Sequence, residues 1–245
     1  MTTAQIFLFT WALLGMFALA GRLVTSALRV RWLDRLTPGS VAAAAVSGAA
    51  VLTLGATWLS RGGLRSPLVA LALGAGLAGI AAFTASRRPR WGTPRGAAGE
   101  WRALLGPAAL VTVVALLPVL RTQGYSIGND TFTYCAYAEW LQRNGFGTAC
   151  RWEADSPVTY FPWLWQQLHY DLGIAHLVAL GQALARSPSC LLVYPAVAAA
   201  GVVLLWAGVF LVARWVLRLS VTATTWLGLV FALVPHPSYW GHHNG

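Results

Sequence analysis

The stretch Leu191-Leu192-Val193-Tyr194-Pro195-Ala196-Val197-Ala198-Ala199-Ala200-Gly201-Val202-Val203-Leu204-Leu205-Trp206-Ala207-Gly208-Val209-Phe210-Leu211-Val212-Ala213 contains no charged residue. A run of about 17 to 25 predominantly apolar residues is what a helix needs to cross a bilayer. Blocks of similar character lie upstream at residues 5–28, 41–60, 67–86 and 103–120, and downstream at 221–234. Hydrophobic residues make up 57% of the 245 and charged residues only 10%, against roughly a quarter charged in a soluble domain. So little polar surface cannot cover a soluble fold of this size. The chain reads as an all-α polytopic membrane protein.

The first block is interrupted by Arg22 near its end, where an arginine stem reaches the headgroups. It lacks the short apolar core and small-residue cleavage site of a secretory signal, and reads as a retained span. Small residues one turn apart, such as Gly74 and Ala78 in the third block, let helices approach closely.

The net charge of +10 comes from arginine alone, for the chain has no lysine. A nucleic-acid binder would line its arginines along a groove or a helix face. Here they gather between apolar blocks, as in a membrane protein, and no nucleic-acid partner is expected. Cytoplasmic loops carry the arginine excess. Placing the first and third links inside puts nine arginines there: Arg22, Arg29, Arg31, Arg35, Arg87, Arg88, Arg90, Arg95 and Arg102. The second link, with Arg61 and Arg65, then falls outside, together with the N-terminus and the long segment 121–170. The expected location is the plasma membrane, with multiple passes and an external N-terminus.

Segment 172–185 has two readings. As a span it gives seven crossings and leaves Arg214 and Arg218 outside, against the arginine rule. As an interfacial helix it gives six, sends 191–213 inward and brings both arginines to the cytoplasm. Its shortness, with His176 and Gln182 inside it, favours the interfacial reading. The expected fold has six to seven transmembrane helices and one long external loop containing interfacial helices. Residues 1–102 supply three N-terminal spans and 103–245 the remainder, with the outer loop at 121–170.

That loop has a different character. Asp130, Glu139, Glu153, Asp155 and Asp171, five of the seven acidic residues, lie in or just past it, with most of the tyrosines. Aromatic residues in this density suit a headgroup layer. Gly128 to Gly145 reads as one amphipathic helix, with Asn129 or Asp130 as N-cap and Asn144-Gly145 at its C-terminal end. Phe132, Ala136, Trp140 and Arg143 form one stripe, suited to a helix lying on the membrane surface. Asp130 is readable as a cap or as a general base acting on a hydroxyl near lipid phosphate. Glu139 points nearly the opposite way and reads as solvated. Cys135 and Cys150 share the loop, and a bridge between them is chemically permitted outside the cell. Unpaired thiols are the equal alternative, and Cys190 reads as a small buried hydrophobe.

The pattern Asp-x-x-x-Tyr-x-x-x-Ala-x-Trp-Leu-x-x-Asn-Gly, formed by Asp130, Tyr134, Ala138, Trp140, Leu141, Asn144 and Gly145, resembles the first outer loop of GT-C glycosyltransferases. Tyr160-Phe161-Pro162, then His169 and His176, match the family's following element. So does the later apolar helix ending in Ala213-Arg214-Trp215. The resemblance covers residues 124–245. It implies a membrane enzyme that moves a sugar from a polyprenyl-phosphate carrier to an acceptor hydroxyl outside the cytoplasm. Asp130 would be the catalytic base, and the anomeric centre would invert. Arg121, Arg143 and Arg151 are candidates to neutralise the leaving phosphate. Tyr134, Tyr160, His169 and His243 are further substrate-binding candidates. Asn129 stands where family members often carry a second acid, and those members are longer, so the chain reads as an N-terminal portion. His236, His242 and His243 lie at spacings that match no metal signature, so no metal site is assigned. A cofactor, a divalent metal included, is left open. The expected partners are membrane lipid and a polyprenyl-phosphate-linked sugar donor.

A reading of a different class stands beside this one. The chain would then be a non-catalytic multi-pass membrane protein, either a transport component or an envelope scaffold binding lipid or glycan. Transport would call for ionisable residues deep in the spans, and the clear spans after the loop hold none.

Overall fold

Inside a bilayer a helix satisfies each backbone N–H and C=O within its own segment. Each apolar block is helical in the computed structural model, which describes residues 2–30, 36–85, 97–122, 129–153, 157–168 and 173–233. Helix α1 (Thr3–Ala27) opens on a capping box in which Gln5 N–H donates to Thr2 Oγ1 and Thr2 N–H donates to Gln5 Oε1. Helix α2 (Pro38–Arg61) opens the same way on Thr37 and Ser40. Pro38 takes its first position, where a missing N–H removes no helical bond. Then come α3 (Ser66–Ala85), α4 (Ala98–Thr122), α5 (Asn129–Arg143), α6 (Pro157–Gln167) and α7 (Gly173–Ala185). A 3-10 turn at Cys190–Leu192 leads into α8 (Tyr194–Leu211), a π turn at Val212–Val216 and α9 (Val221–Leu233). No strand occurs among the described residues.

Arginines in the left-handed region end two of these helices. Arg29 (φ 59) follows α1 and Arg186 (φ 49) follows α7. Val30 N–H then reaches back to Thr25 O, and Ser187 N–H to Gln182 O. Glycine is the usual residue there, but a cation complements the exposed carbonyls at the end of the helix.

Five segments are long and apolar enough to cross a membrane: α1, α2, α3, α4 over Ala98–Leu117, and α8 with its π turn over Tyr194–Val216. The chain is therefore a multi-pass helical membrane protein. The expectation was six to seven spans. The additional segments, α7 and α9, have 13 described residues each and reach about 20 Å at 1.5 Å per residue. The outer faces suit lipid. On α3 only Ser66, Val69 and Thr84 are buried, while Leu68, Leu71 and Phe83 are exposed.

Helices α1 and α2 touch backbone to backbone. A Cβ on Gly21 would lie 1.9 Å from Ala44 O, and one on Gly48 would lie 1.8 Å from Phe17 O. A second contact centres on Trp206 of α8, whose indole N–H donates to Leu104 O of α4 at 3.0 Å. Phe210 and Phe231 close around that ring. The early and late helices are packed together, for α8 lies on α1 and α2, and α7 lies on α2 and α3.

Contacts distinguish the two ends of the bundle. At one end the loop after α5 sits on the turn between α2 and α3. Phe146 N–H donates to Ser60 Oγ at 3.0 Å, and Ser66 Oγ donates to Leu141 O at 3.0 Å. Gly63 (φ 90) and Gly145 meet so closely that a Cβ on Gly145 would fall 2.2 Å from the Gly63 carbonyl carbon. Gln5 and Leu8, at the start of α1, line a groove with Arg186, Ser187 and Pro188. At the other end Arg214 pairs with Glu100 in the first turn of α4, and Gly39 lies under the Trp215 indole. Helix α7 begins against Thr53 of α2 and ends beside the start of α1. It stays in one half of the bundle, and α8 then runs to the opposite end.

Candidate functional site

Helices α5, α6 and α7 form a cap at the end that carries the α2–α3 turn. The cap is built around α5. Thr131, Tyr137, Ala138 and Leu141 are wholly buried, and Thr133, Cys135, Ala136 and Trp140 nearly so. The surface stripe expected from the sequence is thus corrected. Ala136 and Trp140 pack into the protein, leaving Phe132 and Arg143 as its exposed members. Helix α5 packs against α6 and α7 and touches α3, so most of its described side chains meet protein rather than lipid.

Helix α7 is enclosed as well, with Ala175, His176, Val178, Ala179, Leu180, Gly181 and Gln182 buried. His176 meets the edges of Tyr137 at 6.0 Å and Phe146 at 6.2 Å. Gln142 Nε2 donates to Ala179 O at 2.7 Å and ties α5 to α7.

Glu139, read from the sequence as solvated, is instead the polar centre of the cap. Its carboxylate accepts the Cys190 N–H at 2.7 Å and both its oxygens accept from Gln182 Nε2, at 3.2 and 3.3 Å. It joins α5 to the end of α7 and the head of α8. Gln166 plays a similar part for the loop: its Oε1 accepts from Cys150 N–H at 2.8 Å, and its Nε2 donates to Phe146 O and Thr148 O. Neither role was read from the sequence. The available signal was a glutamate and two glutamines placed among otherwise apolar helical positions.

Aromatic rings line the open side of the cap, near the start of α5. Phe132 meets Phe161 edge-on at 5.7 Å, and Phe161 meets Tyr160 at 5.2 Å. Tyr160, Trp163 and Trp152 follow at centroid spacings of 5.9 to 6.2 Å. Trp152 and Tyr160 remain exposed. Such rings offer apolar faces to a sugar ring or to a lipid headgroup region.

The sequence-predicted site residues divide into three groups. Asp130 is the second residue of α5, two positions before Phe132, so it starts the helix beside the aromatic ridge. Tyr160 belongs to that ridge, and the exposed Arg151 is adjacent to Trp152. Tyr134 stacks on Tyr194 with centroids 6.4 Å apart, linking α5 to α8. Arg143 is the last residue of α5, thirteen residues beyond Asp130 and therefore about 20 Å along the helix. It belongs to a different part of the cap. Arg121 falls in the last turn of α4. His169, His236, His242 and His243 lie outside the described residues, as do Asp155 and Asp171. Among the described residues no three His, Cys, Asp or Glu come together to hold a metal.

All three cysteines are buried and free. Cys150 lies in the loop before α6 and packs against that helix, its thiol facing Thr159 O at 3.5 Å. Burial pushes its pKa up, the Glu153 charge adds to this, and a backbone hydrogen bond at Trp163 opposes it. The Cys190 thiol donates to Cys135 O at 3.2 Å, and its pKa is raised first by a hydrogen bond with the Cys135 side chain and then by burial. The thiol near Cys135 is therefore Cys190, not the Cys150 considered from the sequence.

The chain matches no protein-family profile, no curated protein and no solved structure.

Proposed function

We propose that the protein is a membrane glycosyltransferase of the GT-C kind, or a portion of one. It would transfer a sugar from a polyprenyl-phosphate carrier to an acceptor hydroxyl on the outer side of the plasma membrane. One observation carries the reading: Asp130 opens a helix at the end of an apolar bundle, beside a partly exposed ridge of Phe132, Phe161, Tyr160, Trp163 and Trp152. A base at that position meets an acceptor at the depth where a lipid-linked donor presents its phosphate. The ridge supplies faces on which a pyranose can stack. Arg151, beside the ridge, is placed to offset phosphate charge. Arg143, at the far end of α5, is withdrawn from that role.

The orientation belongs to the same proposal. With the arginine-rich links cytoplasmic, the cap, the α2–α3 turn and the start of α1 face outward. The Glu100–Arg214 end faces inward.

The deciding experiment replaces Asp130 by Asn in the full chain and follows transfer of labelled sugar from polyprenyl-phosphate donors. Asn caps a helix as well as Asp does but accepts no proton. The expected loss is about 100- to 10,000-fold. An Asn variant that transfers sugar at the native rate overturns the catalytic role and leaves a lipid- or glycan-binding scaffold.

A further inference from the structure

We propose that Cys135 and Cys190 form a disulfide that locks α5 of the cap to the head of α8. The two residues are 55 positions apart in sequence, yet they are seated together by contacts on both sides. One residue before Cys135, Tyr134 stacks on Tyr194, four residues past Cys190. One turn after Cys135, Glu139 accepts the Cys190 N–H. Between these two pins the Cys190 thiol reaches the carbonyl of Cys135 at 3.2 Å. A disulfide requires Cβ atoms about 3.5–4.5 Å apart with the two side chains facing each other. A thiol this close to the backbone of the other cysteine reaches that geometry by χ1 rotation. Cys150 is held elsewhere, by Gln166 at its N–H and Thr159 at its thiol.

The inference rests on the outward orientation proposed above, because disulfides persist in oxidising compartments. The oxidant is an external disulfide, either a small molecule or an oxidoreductase in its oxidised form. One cysteine thiolate attacks a sulfur of that disulfide and expels a thiolate, leaving a mixed disulfide. The second cysteine thiolate then attacks the protein sulfur of the mixed disulfide and expels the other thiolate. Two protons and two electrons leave the protein, and the oxidant is released as two thiols. Both cysteines are at most 3% exposed once the cap is seated. Exchange therefore precedes closure of the cap, and the finished bond is shielded from reductant.

The experiment blocks thiols with N-ethylmaleimide in intact cells under denaturing lysis, purifies the full chain without reductant and identifies its peptides by mass spectrometry. The expected result is a Cys135–Cys190 linked peptide, two hydrogens lighter than the reduced pair, with Cys150 alkylated. Cys135→Ser or Cys190→Ser should abolish the linked species, and Cys150→Ser should leave it. A Cys135–Cys150 link overturns the proposal. So does finding all three cysteines alkylated, and synthesis of the chain in vitro into lipid vesicles with diamide present, before the cap closes, then identifies the fault. If diamide creates the 135–190 link, the geometry is right and the orientation reading is wrong. If it creates none, the geometry is wrong and the orientation reading stands.

Discussion

Replacing Glu139 tests whether the cap is held by its carboxylate. In the native protein that group accepts two donors, the Cys190 N–H and the Gln182 amide. Glu139→Ala removes both bonds and leaves a donor of the 3-10 turn without its acceptor. Hydrogen bonds to a charged group contribute about 1.5–3 kcal/mol each, so the variant should lose about 3–6 kcal/mol. For a chain of this length, roughly 2–4 °C of melting temperature follow each kcal/mol. The tryptophan-fluorescence melt of the purified protein should therefore fall by roughly 6–24 °C. Glu139→Gln behaves differently for a reason visible in the structure. Gln182 Oε1 is buried with no partner among the described residues. A glutamine at 139 can accept from Cys190 with its oxygen and donate to Gln182 Oε1 with its amide, after a turn of the Gln182 side chain. The expected cost is under about 1 kcal/mol. Alanine and glutamine variants that melt together would refute the reasoning, because the carboxylate would then be exchanging its bonds with water at no cost.

Further outcomes concern helix packing and thiol reactivity. Gly48→Leu drives a side chain into Phe17 O, which a Cβ would already approach to 1.8 Å; it should cost about 3 kcal/mol or more and remove the monodisperse peak in fluorescence-detected gel filtration. Gly15→Ala, with nothing within 4 Å of the added Cβ, should elute like the native chain. In a Cys135→Ser/Cys190→Ser background, alkylation of Cys150 should still be accelerating at pH 9, because its raised pKa keeps it a thiol at pH values where an ordinary cysteine is largely thiolate. Glu153→Gln removes a negative charge that raises that pKa and should speed the reaction at fixed pH; equal rates in the two proteins would exclude the charge effect.

The long helices were legible because lipid and backbone chemistry act locally. The blocks at 41–60 and 67–86 became Pro38–Arg61 and Ser66–Ala85, with Thr37-Pro38 and Ser66 marking their starts. The helix from Asn129 was also legible, from its polar start and its Asn144-Gly145 end. What surrounds it was not. The stripe of Phe132, Ala136, Trp140 and Arg143 suggested one buried face and one solvated face. The remaining positions hold Thr131, Thr133, Cys135, Tyr137, Ala138 and Leu141, small or apolar groups that let neighbours pack all round. Between Asp130 and Arg143 the only charge is Glu139, and that scarcity was the available clue. Glu139's own partners sit 43 and 51 residues away. No local pattern carries such a pairing, so it became visible only with the tertiary structure.

Helix α7 has a consequence for how the chain is made. A segment of 13 residues carrying His176 and Gln182 is a poor candidate to leave the insertion machinery for lipid by itself, being short of the roughly 20 apolar residues a crossing needs. Its neighbours α2, α3 and α5 all precede it in the chain, so by the time it emerges a protein-lined seat can already be in place. The N-terminal helices thereby act as a mould, and the order of synthesis becomes part of how the cap acquires its shape.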